Sequence, residues 1–77
     1  MQIYGYKRKG KRLETMKEVS IVATPRELKT VIKMLKRAVA EMEGKKKLRV
    51  DHLHFQDLHK PADPKSADFI VMITPPN

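Results

Sequence analysis

The chain has 77 residues, no cysteine and a formal net charge of +8, from seventeen Lys and Arg against nine Asp and Glu. A chain of this length makes one domain, and one that buries only ~60–65% of its unfolded surface. The lack of cysteine excludes a disulfide framework and a thiolate metal site and fits a reducing cytoplasm, and no apolar run approaches the ~18 residues of a membrane span.

The charge is unevenly placed. Residues 1–49 carry fifteen of the seventeen basic residues and five of the nine acids, a net +10, while residues 50–77 carry a net −2. Such a dipolar chain suits an anionic partner for its first half, either nucleic acid or an acidic protein surface. The plainer alternative is a lysine-rich face that is simply solvated. Residues 1–15 are basic but hold no apolar segment, so they do not read as a signal peptide.

Taken in order, Gln2–Arg8 predicts a short strand, Lys9-Gly10 a tight turn, and Lys11–Ala23 a second strand running back. A turn centred there sets Tyr6 opposite Leu13 and Tyr4 opposite Thr15. Strand alternation then puts Tyr4, Tyr6, Leu13, Val19, Ile21 and Ala23 on one inward face. The tip, with Lys7, Arg8, Lys9, Lys11 and Arg12, is too charged to bury; Met16-Lys17 also resembles a start, which gives the alternative that residues 1–15 are a loosely attached basic hairpin arm.

Thr24 to Gly44 predicts one long amphipathic helix. Thr24 suits the N-cap, Pro25 the first helical position, and Glu27 completes a capping box three residues on. Leu28, Val31, Ile32, Leu35, Ala38, Val39 and Met42 recur at spacings of three and four and are expected to face the core. Gly44 is the expected C′ residue, with Lys45, Lys46 and Lys47 at the negative end of the helix dipole. The opposite side carries Arg26, Lys29, Lys33, Lys36 and Arg37.

Leu48–Asp57 predicts a third strand, with Leu53 and Phe55 on one face and His52, His54 and Gln56 on the other. Leu58–Ala67 reads as a loop, and Asp68–Thr74, apolar from Phe69 to Ile73, as a central fourth strand ended by Pro75-Pro76. The order β-β-α-β-β makes an α+β domain: a four-stranded, mainly antiparallel sheet in the order 1-2-4-3 with the helix on one face. The uncovered face would show Ser20, Val22, His52, His54, Ile70 and Met72, a surface suited to a partner or to self-association.

Chemistry-bearing constellations are sparse. His52 and His54 share a strand face and can chelate a metal if His59, Asp51 or Asp57 joins them, but the spacing is weak and no metal site is assigned. Ser20 and Ser66 lie in no nucleophile motif and the three glycines are isolated, so no catalytic residue and no cofactor is assigned. For nucleic acid, Lys7, Arg8, Lys9, Lys11, Arg12, Lys29, Lys33 and Arg37 could neutralise phosphates. The inward register of Tyr4 and Tyr6 argues against base stacking.

Val19 to Ile73 resembles one family of small immunity proteins of bacterial polymorphic toxin systems. The likeness rests on the entry Thr24-Pro25-Arg26-Glu27-Leu28 into a single helix, the alternating strand His52-Leu53-His54-Phe55-Gln56-Asp57, and the last apolar strand from Asp68 to Ile73. The resemblance implies binding and neutralisation of a cognate toxin without catalysis, with His52, His54 and Asp57 at the matched positions. The strong positive charge and the basic hairpin depart from that pattern. The expected function is therefore non-catalytic binding of a macromolecular partner, through His52, His54, Gln56, Asp57, Val22, Ile70 and Met72, with nucleic-acid binding through the basic residues as the alternative.

Overall fold

A computed structural model describes residues 1–44 and 51–74. Along the chain these form β1 (Tyr4–Gly5), β2 (Glu14–Thr15), α1 (Pro25–Glu43), β3 (His52–His54), α2 (Phe55–Leu58) and β4 (Ile70–Met72). The class is α+β, as expected. The sheet is not: two separate two-stranded antiparallel sheets, β1-β2 and β3-β4, replace the single four-stranded sheet of order 1-2-4-3.

α1 begins where the sequence places it. Thr24 is extended and its hydroxyl accepts from the Glu27 N–H at 3.2 Å, while the Glu27 carboxylate accepts from the Thr24 N–H at 2.8 Å. Two of the helix's orphan N–H donors are thereby satisfied. The Thr24 N–H, and after it the Thr24 side chain, hold the Glu27 carboxyl below its ordinary value. At the other end Gly44 closes the helix with its N–H on the Ala40 carbonyl, but its φ of −66° is not the left-handed value expected of a C′ glycine. The lysines beyond it and the expected start of the third strand, residues 45–50, lie outside the described residues, as do Pro75 and Pro76.

β3 and β4 pair His52 with Met72, Leu53 with Val71 and His54 with Ile70. The ladder is extended at both ends by Phe55 N–H to the Phe69 carbonyl and Ile73 N–H to the Asp51 carbonyl. Its inner face meets α1. The buried core is Met34, Ala38, Leu53, Phe55 and Ile73, with Val31, Met42, Phe69 and Val71 packed against it. Leu53 and Phe55 point inward as expected. Leu35, placed in the core by its spacing, is exposed, and Met34 beside it is fully buried. Neighbouring helical residues point about 100° apart, so a rotation of the helix by roughly a quarter turn relative to the sheet exchanges the two.

The third strand ends early because the chain turns at Phe55 into α2. Gln56, expected on the strand, lies in this helical turn: its N–H donates to the Asp68 carboxylate and its side-chain amide donates to the carbonyls of Asp63, Ser66 and Ala67. Those bonds fix the loop that leads into β4.

The long second strand is reduced to Glu14–Thr15. The hairpin register agrees with the sequence, Tyr4 opposite Thr15, and Gly10 N–H closes the turn on the Lys7 carbonyl. Beyond Met16, whose N–H reaches the Ile3 carbonyl, residues 17–23 make no backbone–backbone hydrogen bond within the described residues. Val19, Ile21 and Val22 carry β-propensity, but that propensity expresses packing against a partner strand, and among the described residues no strand pairs with them. The face expected to be buried is open: Tyr4, Tyr6, Leu13, Val19 and Ile21 are exposed and Ala23 is half-buried. Arg8 ties the hairpin to the rest by donating to the Lys65 carbonyl at 2.9 Å.

Candidate binding surfaces

Strand alternation sends Leu53 and Val71 to the core and leaves His52, His54, Ile70 and Met72 together on the outer face of β3-β4. The rings of His52 and His54 meet edge to face, with centroids 4.8 Å apart. Each imidazole is oriented by a carboxylate: His52 Nδ1 lies 2.7 Å from Asp51, and His54 Nδ1 lies 2.6 Å from Asp68. A carboxylate only accepts, so Nδ1 carries the proton in both rings, and the Nε2 edge is left to address a partner.

Asp68 holds this surface together. One of its oxygens takes His54 and the other takes the Gln56 N–H at the start of α2. Burial pushes its carboxyl upward, but the N–H of Gln56 and the bond and charge of His54 outweigh that and hold it below its ordinary value. Nothing in the local sequence marks Asp68 for this role, because its partners lie twelve and fourteen residues away.

The third histidine serves a different end. His59 stacks on Phe55, with centroids 4.9 Å apart, and joins α2 to α1. Its Nε2 lies 3.3 Å from the Arg26 guanidinium and its Nδ1 lies 2.8 Å from the Thr30 hydroxyl. A guanidinium only donates, so Nε2 accepts and Nδ1–H donates to Thr30, whose own hydroxyl reaches the Arg26 carbonyl. His59 is thus absorbed in helix packing. Among the described residues no three His, Asp or Glu side chains converge as a metal site requires.

Of the residues expected on the sheet face, His52, His54, Ile70 and Met72 are brought together. Gln56 and Asp57 lie beyond it in α2, with Gln56 engaged by the loop and Asp57 exposed. Val22 is fully exposed but belongs to the unpaired segment and not to this face; Ser20 shares that fate.

The basic residues are exposed throughout. Lys7, Arg8, Lys9, Lys11 and Arg12 ring the hairpin turn, and Lys29, Lys33 and Arg37 line the solvent side of α1. Among the described residues no Lys or Arg side chain forms a salt bridge with a carboxylate. Beside the basic turn, Tyr4 and Tyr6 are 51% and 62% exposed, where the sequence placed them inward.

No protein-family model, no curated protein and no solved structure matches this chain.

Proposed function

We propose that this chain is a non-catalytic binding protein that acts through a macromolecular protein partner, in the manner of an immunity or regulatory protein. One observation carries the reading. The accessible surface is 7183 Å² for a chain of 8.9 kDa. A compact monomer of that mass exposes about 4,800 Å². The excess, about 2,400 Å², is more than the ~800 Å² that one partner contributes to a standard specific interface, so it leaves room for one, and it includes many large apolar side chains.

The outer face of β3-β4 is the partner surface of this reading. It sets Ile70 and Met72 among two imidazoles that are already oriented by Asp51 and Asp68. Oriented polar groups within an apolar patch favour specific contact, since little ordering cost remains to be met on binding. By the resemblance to immunity proteins, a cognate toxin is the first partner to test. The test is capture by immobilised chain, comparing wild type with His54→Ala and Met72→Asp. A protein retained by wild type and by the triple variant Lys29→Glu, Lys33→Glu, Arg37→Glu, but lost with Met72→Asp, supports the reading. Retention unaffected by either sheet-face change overturns it.

A second reading has an observation of its own. The exposed Tyr4 and Tyr6 stand beside a turn bearing Lys7, Arg8, Lys9, Lys11 and Arg12. Aromatic faces for stacking beside cations for phosphates are what single-stranded nucleic acid requires. Fluorescence titration with short RNA and DNA at low and moderate salt tests it, and absence of binding at low salt ends it.

A further inference from the structure

The apolar arc of α1 is wider than the sheet that covers it. Val31, Met34, Ala38 and Met42 form the covered edge. Leu28, Ile32, Leu35 and Val39 form a second edge, each between 42% and 53% exposed. Their spacing of four, three and four residues draws a continuous seam about 60° wide along the helix, counted at 100° per residue. Next around the helix come Glu43, in the last turn, and then Lys36 and Lys29 alongside the middle of the seam, both lysines exposed and neither in a salt bridge with a described residue.

We propose that this seam docks one acidic amphipathic helix of a partner protein, with Lys29 and Lys36 facing its carboxylates. The inference rests on reading the chain as a binding protein but uses a surface separate from the outer face of β3-β4.

Three features select that occupant. Anchors at i, i+4, i+7 and i+11 are the pattern by which one helix reads another. The strip is narrower than the ≳100° arc that an amphipathic helix commits to a broad apolar environment, and the sheet occupies the remainder of the arc, so a flat lipid surface fits poorly. A second copy fits poorly too: an antiparallel pairing centred on Ile32 and Leu35 brings Lys29 and Lys36 of one copy against Lys36 and Lys29 of the other, while Glu43 lies about 10 Å further along the axis from Lys36. Nucleic acid would satisfy the lysines and leave the four apolar side chains wet.

The test uses a fluorescein-labelled peptide of roughly 20 residues, long enough to support a helix, with leucines at four-three-four spacing flanked by glutamates. Its control carries lysines in place of the glutamates. Expected are saturable binding of the acidic peptide, none of the control, and a loss of about tenfold or more with Leu35→Asp or Ile32→Ser. Met72→Asp should leave peptide binding unchanged, which separates this surface from the sheet face. A chain carrying Lys29→Glu and Lys36→Glu should reverse the preference and take the lysine peptide. Both seam residues are exposed, so the variants should keep the far-UV circular dichroism of wild type. The inference is overturned if the acidic peptide does not bind, if both peptides bind alike, if Leu35→Asp abolishes binding to phosphatidylserine vesicles instead, or if Leu35→Asp converts a dimer to a monomer.

Discussion

Asp68 shows how much of the surface hangs on one side chain. It orients the His54 imidazole and caps the Gln56 N–H, so it couples the outer sheet face to the start of α2. Asp68→Asn keeps the shape but removes the charge, and should lower stability by about 1–2 kcal/mol, as for a hydrogen-bonded charged group. Its carboxyl is held below the ordinary value of 3.8 in the folded chain. The stability it contributes is therefore complete above that value and is lost as pH falls through the lower folded value. Denaturant unfolding between pH 6 and 2 should show this acid limb, and Asp68→Asn should flatten it. Met34 and Leu35 give the second residue-scale prediction. Met34→Ala should cost about 2–5 kcal/mol as a core truncation, and Leu35→Ala under about 1 kcal/mol, as at an exposed site. Equal shifts of the denaturation midpoint would place the helix face wrongly. The seven apolar helix positions were legible as a stripe. Which half of the stripe is covered depends on where β4 lies, and periodicity does not carry that.

At the scale of elements, local signals held and distant ones did not. The start of α1 was legible because all its determinants, Thr24, Pro25 and Glu27, lie within four residues. Thr24→Ala should destabilise by about 1 kcal/mol through loss of the cap, read as a lower thermal midpoint with unchanged helix content at low temperature. The alternation of Leu53 and Phe55 against His52 and His54 was legible for the same reason. α2 was hidden: Phe55-Gln56-Asp57-Leu58 continues the strand pattern, and the carboxylate that receives the Gln56 N–H comes from Asp68, just ahead of the opposite strand. The hairpin register was legible at Tyr4 and Thr15, but its burial was not. A strand's inner face is buried only if another layer meets it, and α1 meets β3-β4 instead.

The whole molecule is a small packed unit with an open periphery. Its radius of gyration is 13.5 Å, against about 11.5 Å for a compact chain of this length. β1 and β2 contribute no buried side chain to the core, so removal of residues 1–15 should shift the thermal midpoint by only a few degrees. Amide exchange should order the elements likewise. N–H groups of α1, β3 and β4 should be the slowest, and those of residues 17–23, with no backbone–backbone hydrogen bond among the described residues, should exchange at nearly unfolded rates. Fast exchange throughout α1 would contradict this packing.

The combination of uncovered apolar side chains with a net charge of +8 also governs how molecules of this chain behave in crowded solution. Mutual repulsion between like-charged particles is what keeps their sticky patches apart, and it acts only over a screening length of about 8–10 Å at ordinary salt. The chain is therefore colloidally protected in dilute buffer and exposed in brine. Above about 0.5 M salt, where the screening length falls to a few ångströms, light scattering should report weakly specific clustering that reverses on dilution.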